Sequence, residues 1–211
     1  MTAITVIGGT GYAGAAIVTE ATRRGHQVTA ISRKVPDRPV EGVTYAIGDL
    51  TDSIPDLTGT DVVIAALSPR GDNVGKVHDA YLALAEKAAD AGARFVAVGG
   101  FSSLRPAPGA PRFADGDDLP AEFATEAREM NSILTDLIEG STGGDWLFVS
   151  PAAEFGSHAP GKALGHYRTS DEVALFDEDG KSAISGADFA SAILDEIETP
   201  TRHRAQIHFA Y

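Results

Sequence analysis

A glycine-rich segment near the N-terminus constrains the fold more than any other feature of this sequence. Gly8, Gly11 and Gly14 follow the apolar run 4–7 and open a small-residue helical pattern over 12–24. In a strand–turn–helix unit, such glycines permit a tight turn, a close backbone approach to a pyrophosphate, and close helix–strand packing. The N–H groups and positive dipole end of the helix would face the phosphates. The segment therefore predicts dinucleotide binding; the alternative is a glycine-rich turn that holds no ligand.

Short apolar runs alternate with helical patterns through most of the 211 residues. Further strands are predicted over 26–31, 43–47, 61–67, 94–98, 146–149 and 205–210, and helices over 73–91, 121–139 and 185–198. The apolar stripe of the first of these helices comprises Val74, Val77, Tyr81, Leu84 and Ala88. Strand–helix alternation with glycine at strand ends predicts an α/β, Rossmann-type doubly wound parallel sheet with helices on both faces. We expect one NAD(P)-binding domain over 1–211, in which 151–185 form a small C-terminal cap on the substrate side.

Composition and charge argue against several classes of function. The chain has 17 basic and 30 acidic side chains, a net charge of −13, which repels nucleic acid and anionic lipid. It has no cysteine, so disulfides, thiolate metal sites and a cysteine nucleophile are excluded. Its six histidines lack metal-site spacing, and Asp115, Asp117 and Asp118 lack the spacing of a calcium loop, so no metal is predicted. Without a signal peptide or membrane span, we expect a cytoplasmic monomer or homodimer that acts on a small molecule.

The residues after the second strand favour NADPH over NADH. Ser32, Arg33 and Lys34 stand where an NAD-selective fold usually places a carboxylate on the ribose 2′-hydroxyl. An arginine fork suits a 2′-phosphate, which a carboxylate would repel. The alternatives are NAD(H) binding and a solvated basic loop.

The spacing G-x-x-G-x-x-G and the segments 94–104, 145–155 and 184–190 resemble the atypical short-chain dehydrogenase/reductases. Among these, the chain is similar to NADH-flavin reductase-like, biliverdin reductase B-like and NmrA-like proteins, over nearly its whole length. The resemblance implies contacts to the pyrophosphate, the adenine and the nicotinamide, and Asp49 has the alternative role of a turn or helix-cap residue. The implied cofactor residues are Gly8, Thr10, Gly11, Tyr12, Ala13, Ser32, Arg33, Lys34, Asp49, Leu50, Ala65, Ala66, Leu67, Gly99, Pro151, Ala152 and Ala153.

The catalytic pair of standard short-chain dehydrogenases, Tyr-x-x-x-Lys, is absent. The helix that should carry it has Phe123 and Ala127 at the matching places. We therefore expect an NAD(P)H-dependent oxidoreductase that passes hydride to a flavin, quinone or similar conjugated acceptor, which needs no strong protein acid. The alternative is a non-catalytic, NADP(H)-sensing regulator of the NmrA-like kind. A third option is an isomerase or reductase with its own catalytic chemistry at His158 or His166.

The acceptor pocket is expected beneath the cap. By the resemblance, Phe101, Phe155 and the loop 101–118 form its walls, because a flat acceptor stacks on aromatic rings. Ser102 or Ser103 matches a serine near the substrate of biliverdin reductase B and is the predicted hydrogen-bond donor to the acceptor. The histidine of that protein has no counterpart after strand six. His158, His166 and Tyr167 of the cap are candidates to supply a proton or to orient the acceptor.

Overall fold

The structure, a computed structural model, describes residues 1–116, 119–140 and 142–211. Within these ranges the chain forms one eight-stranded sheet in the order β3-β2-β1-β4-β5-β6-β8-β7. All neighbouring pairs are parallel except β7 and β8, which are antiparallel. The strands are β1 Ala3–Ile7, β2 Gln27–Ser32, β3 Thr44–Ile47, β4 Val62–Ala65, β5 Arg94–Val98, β6 Trp146–Ser150, β7 Arg168–Ser170 and β8 Ala205–Ala210.

Four α-helices cover the two faces of this sheet. Helices α1 (Tyr12–Arg23) and α4 (Gly186–Glu198) pack on one face, and α2 (Val77–Asp90) and α3 (Ala121–Ile138) pack on the other. The central strands β4 and β6 are buried at every position, which explains why their sequences read as continuous apolar runs. The predicted doubly wound Rossmann-type sheet is confirmed. No α-helix in the described part of the chain has the length and apolar character needed to cross a bilayer.

Two predicted boundaries around the connection from β4 to α2 are wrong. Helix α2 begins at Val77 rather than at residue 73, and Val74 is 49% exposed instead of lying on the buried stripe. The cause is Gly75, whose φ of 71° is left-handed and ends any helical path from the short 3-10 turn Gly71–Asn73. Strand β4 covers only Val62–Ala65, because the backbone of Leu67 leaves the sheet and bonds the hydroxyl of Tyr81 instead.

The segment 151–185 has a more varied role than a cap. Its strand β7 extends the sheet by pairing with β8, with Ser170 opposite His208. Its earlier part is fastened to the start of α1 and α4: the Tyr12 hydroxyl donates to the carbonyl of Pro160 at 2.8 Å, and Asp188 accepts the N–H of Leu164 at 2.7 Å. The segment therefore lies against the carboxyl edge of the sheet and also completes the sheet's far side.

A histidine with two carboxylates fixes α2 against α3. His78 Nε2 lies 2.7 Å from Asp136, and His78 Nδ1 lies 2.8 Å from Asp79. Partial burial opposes charge on this ring, but the hydrogen bonds that the ring donates to the two carboxylates outweigh it and hold the pKa of His78 above its ordinary value. The protonated ring therefore stabilises the fold.

We predict that this stabilisation depends on pH. Because the folded pKa is raised, the contribution is complete below the unfolded value of about 6.5 and is lost as pH rises through the folded pKa. The difference in unfolding free energy between wild type and His78→Gln should be larger at pH 6 than at pH 9, by up to about 1 kcal/mol. Urea unfolding at the two pH values measures it, and an unchanged difference would contradict the prediction.

Candidate functional site

The carboxyl ends of β1, β2, β4, β5 and β6 meet at one edge of the sheet. The strand order reverses between β1 and β4, since β2 and β3 lie on one side of β1 while β4 and β5 lie on the other. Such a reversal opens a crevice where open α/β sheets bind their ligands. The loops at this edge carry most of the residues predicted from the sequence.

The turn after β1 is built by backbone contacts that only glycine permits. Gly8 has a φ of +79°, and a Cβ there would lie 2.6 Å from the carbonyl oxygen of Ala66. A Cβ on Gly14 would lie 2.1 Å from the carbonyl oxygen of Gly8, so the first turn of α1 rests directly on the loop. Gly9, to which the sequence assigned no role, is equally constrained, because its Cβ would lie 2.8 Å from that of Ala30.

The same turn leaves amide donors at the start of α1. The N–H groups of Gly8 and Gly11 are used inside the loop, by Ile31 at 2.8 Å and by Gly8 at 2.9 Å. Helix α1 begins at Tyr12, so the N–H groups of Tyr12 and Ala13 belong to the first turn, where no carbonyl of the helix can accept them. That first turn carries no acidic side chain. The geometry and charge fit a phosphate at this position.

The side chain of Tyr12 points to the cap and α4. Its hydroxyl donates to Pro160 and accepts from the N–H of Gly186 at 3.0 Å, and its ring meets Phe155 edge-on at 5.1 Å. Any contact of Tyr12 to a phosphate, as the resemblance implies, would therefore fall to its backbone N–H. The side chain instead joins the glycine-rich turn after β1 to the segment 151–185.

Two cations stand at the end of β2. Arg33 and Lys34 are exposed, and Arg33 lies 3.7 Å from the carboxylate of Asp72 in the 3-10 turn before α2. Ser32 differs from the expectation: it is buried, and its hydroxyl donates to the carbonyl of Lys34 at 2.7 Å. Ser32 therefore shapes the turn that presents the two cations and does not itself offer a donor.

The two residues predicted to contact adenine after β3 make contacts within the protein. Asp49 accepts the N–H of Thr51 at 3.0 Å and its hydroxyl at 2.8 Å, and these bonds hold the pKa of Asp49 below its ordinary value. This is the turn role that the sequence left open. Leu50 is only 5% exposed and packs in the core under α2, so it offers little surface to a ring.

A buried tyrosine holds the loop after β4, and the sequence did not identify this function. The Tyr81 hydroxyl accepts the N–H of Leu67 at 2.8 Å and donates to the same residue's carbonyl at 3.0 Å. Burial raises the pKa of Tyr81, so the hydroxyl stays protonated. Ala65 is fully buried, while Ala66 and Leu67 are half-buried at the crevice. A tyrosine on an otherwise apolar helix stripe is the signal that could have indicated it.

The segments that follow β5 and β6 begin with small residues and proline. A Cβ on Gly99 would lie 2.0 Å from the ring of Phe148, so only glycine fits between the two strands' ends. The Gly99 N–H is bonded to Val149 at 2.8 Å. Pro151 and Ala152 are buried, and Ala153 is exposed.

The two predicted aromatic walls of the acceptor pocket do not form one wall. Phe101 is half-buried, stacks on Phe113 with ring centres 5.2 Å apart and meets Phe176 edge-on. Phe155 packs against Tyr12 and, at 4.6 Å, against Phe189 in the core under α1 and α4. This packing corrects the expected pairing and leaves Phe101 with the loop 101–116 as the candidate wall. The last residues of the predicted 101–118 loop, Asp117 and Asp118, lie outside the described residues.

Of the predicted polar residues of the acceptor site, two lie beside Phe101 and the other three lie in the segment 151–185. Ser102 is half-buried and Ser103 is fully buried, both beside Phe101 in a 3-10 turn. His158 and His166 are exposed, and the His166 ring lies 5.9 Å from that of Tyr211. The Tyr167 hydroxyl donates to Asp195 on α4 at 2.6 Å, which places it with α4.

A buried polar cluster beneath the Phe101 turn was not foreseen. Arg112 donates to the carbonyl of Ser103 and, at 2.7 Å, to Gln206 Oε1. Burial lowers the pKa of Arg112. Gln206 and His208 alternate along β8 with the apolar Ile207 and Phe209. This alternation, in a strand that is almost wholly buried, is the sequence signal for the cluster.

The sheet and the glycine-rich turn after β1 are those of a Rossmann-type, dinucleotide-binding fold. Residues 8–200 match the family described as NAD(P)H-binding, and the chain belongs to that family. YwnB of Bacillus subtilis (strain 168), described as uncharacterized, is 35% identical over 205 residues, which cover 93% of this chain and 92% of YwnB.

Two solved structures agree with this assignment. SP1627 of Streptococcus pneumoniae TIGR4, provisionally named an NADH-flavin reductase, is 33% identical, with a TM-score of 0.90 and coverage of 100% of this chain and 99% of its own. A Bacteroides thetaiotaomicron protein, provisionally named an epimerase, is 31% identical with a TM-score of 0.86, covering 100% of this chain and 98% of its own.

We predict that Gly14→Ala abolishes the fit between α1 and the loop. Its Cβ would meet a backbone oxygen at 2.1 Å, so the helix start must move away from Gly8. We expect a loss of stability of about 1–3 kcal/mol and at least about a tenfold loss of NADPH affinity. Urea unfolding and calorimetric titration measure the two effects. Gly143→Ala, where a Cβ meets nothing within 4 Å, is the matched control. Equal affinities for the two variants would contradict the prediction.

Proposed function

We propose that this protein is an NAD(P)H-dependent oxidoreductase that prefers NADPH and passes hydride to a flavin, quinone or similar conjugated acceptor. The observation that carries the proposal is the glycine-rich turn between β1 and α1. Gly8 and Gly14 touch backbone so closely that no other residue fits, and the first turn of the helix offers N–H groups and carries no acidic side chain.

The preference for NADPH rests on charge at the end of β2. Arg33 and Lys34 are exposed cations on a protein whose net charge is −13, so they are a local exception to the overall field. A guanidinium can form paired hydrogen bonds to a 2′-phosphate. The exposed pair with Asp72, at 3.7 Å, is weak enough to be exchanged for a phosphate.

The chemistry asks little of the protein's own acids and bases. A reduced nicotinamide held at the start of α1 would supply hydride, that is two electrons and one proton, and reduction of a conjugated acceptor would need only one further proton, which solvent can provide. In α3, Phe123 and Ala127 cannot take the roles of the tyrosine and lysine of standard short-chain dehydrogenases. The residues of the crevice would therefore bind and align the two reactants, with Ser102 or Ser103 as a hydrogen-bond donor to the acceptor.

The names of the relatives are consistent with this proposal. The pneumococcal protein carries a provisional flavin-reductase name, whereas the Bacteroides protein carries a provisional epimerase name. Epimerases of this fold use the tyrosine that this chain lacks in α3, so the reductase is favoured. A nucleotide-sensing regulator would need the same phosphate-binding turn, and only turnover separates the two.

We predict that the purified protein oxidises NADPH when riboflavin, FMN or menadione is added. The loss of absorbance at 340 nm measures turnover, and the Gly14→Ala variant is the control for contaminating reductases. If calorimetry detects NADPH binding but no acceptor is reduced, the regulator replaces the enzyme. If no nucleotide binds at millimolar concentration, both functions are excluded.

We predict that Arg33→Ala separates the two cofactors. It should weaken NADPH by about tenfold or more, because a charge-assisted pair to phosphate is lost, and leave NADH within about twofold. Arg38→Ala removes another exposed arginine from the connection between β2 and β3 and is the matched control. Calorimetric titration of each variant with both cofactors gives the comparison; equal losses for NADPH and NADH would contradict a 2′-phosphate contact.

A further inference from the structure

Two buried polar atoms beneath Phe101 have no hydrogen-bond partner in the described part of the chain. They are His208 Nε2 and Ser103 Oγ, and both residues are 0% exposed. A buried polar atom without a partner loses its hydrogen bond to water and gains none in return, so each one needs an explanation.

The protonation state of His208 follows from its one bond. Its Nδ1 lies 2.9 Å from the carbonyl oxygen of Ser150, which can only accept, so Nδ1 carries the proton. Burial holds the pKa of His208 below its ordinary value, against the bond to Ser150, and Arg168 acts in the same direction as burial. The ring is therefore neutral near pH 7, and Nε2 is a lone-pair acceptor.

The two residues that carry these atoms are linked through Gln206 and Ser150. Ile207 and Phe209 face the core under α1 and α4, so Gln206 and His208 face the opposite side of the sheet. There the Gln206 amide donates to the carbonyl of Ser103 at 3.1 Å and to Ser150 Oγ at 2.9 Å. Since His208 is bonded to the carbonyl of the same Ser150, one hydrogen-bonded chain connects Ser103 with His208.

Phe101 lies against one member of this pair and belongs to the same short turn as the other. Its ring meets that of His208 edge-on, with centres 6.4 Å apart, and stacks on Phe113 at an interplanar angle of 20°. Phe101 is half-buried, directly follows Gly99 and Gly100, and shares the 3-10 turn with Ser103. A rotation of this one side chain would uncover the edge of His208 and free a face of Phe113 for another flat ring.

We propose that His208 and Ser103 are specificity-determining contacts of the acceptor pocket, reached when Phe101 turns aside, and that they select a flavin over a quinone. The inference rests on the proposed reductase function and names its acceptor. A neutral Nε2 needs a donor, and an oxidised quinone presents only carbonyl acceptors. The edge of an isoalloxazine ring carries an N–H between two carbonyls, which matches an acceptor nitrogen beside a serine hydroxyl.

Two variants of His208 separate this role from a structural one. Asparagine can keep the donor to the Ser150 carbonyl but has no atom at the position of Nε2, whereas glutamine extends an amide oxygen toward it. We expect His208→Asn to weaken riboflavin binding about tenfold, measured by flavin fluorescence quenching with NADP⁺ present, and His208→Gln to restore most of it. The KM for menadione should change less than twofold in both. Equal changes for flavin and quinone, or none for either, would overturn the inference.

A test on the ligand avoids the risk that a buried variant does not fold. Wild-type protein should bind lumiflavin about tenfold more tightly than 3-methyllumiflavin, which lacks the ring N–H. In Ser103→Ala, which shortens no backbone contact, affinity for both should fall while the preference persists. If the wild type binds neither flavin, or both equally, the inference is wrong. The proposed function survives that result provided that NADPH binds and menadione is reduced.

Discussion

The close packing of backbone against backbone where the strand order reverses, between β1 and β4, is the contact on which the rest of the structure depends. Gly8 lies against the carbonyl of Ala66, and Gly14 lies against the carbonyl of Gly8, so the end of β1, the end of β4 and the start of α1 meet without side chains. This contact aims the first turn of α1 at the crevice. A side chain at either glycine would separate the helix from the sheet edge and displace the N–H groups that suit a phosphate.

The crevice combines a fixed part with parts that can adjust. The Tyr81 hydroxyl holds both backbone groups of Leu67, and Tyr12 fastens the turn to Pro160 and Gly186. Arg33 and Phe101, in contrast, are partly exposed, and Arg33 is held by an exposed ion pair with Asp72. Under the proposed function, the rigid elements would position the nucleotide, whereas specificity for the 2′-phosphate and the acceptor would fall to Arg33 and to the side chains around Phe101. Such a division is economical, because only the reactive geometry needs preorganisation.

Local signals in the sequence were enough for most of the sheet, for the helices apart from the start of α2, and for the glycine turn. Apolar runs and glycines act over a few residues, so the strands other than β7 and the start of α1 could be predicted within a residue or two. Which side chains are free could not be predicted, because their partners are distant in sequence: Tyr12 is bound by residues near 160 and 186, and Phe155 packs on Phe189. Leu50 likewise packs in the core, and the Ser32 hydroxyl is bonded to the carbonyl of Lys34.

The acceptor side shows why a motif-based prediction stops short of the substrate. Ser103, Arg112 and the β8 residues Gln206 and His208 come from three separate parts of the chain and meet because β5, β6 and β8 end at one edge. Apart from the alternation of Gln206 and His208 along β8, no spacing in the sequence relates them. Their hydrogen bonds are nevertheless directional: Gln206 uses its donors on Ser103 and Ser150, and His208 uses its proton on Ser150. What is left over is an acceptor nitrogen and a hydroxyl, and under the proposed function the chemistry of those two atoms would narrow the choice of electron acceptor more than the shape of the aromatic wall would.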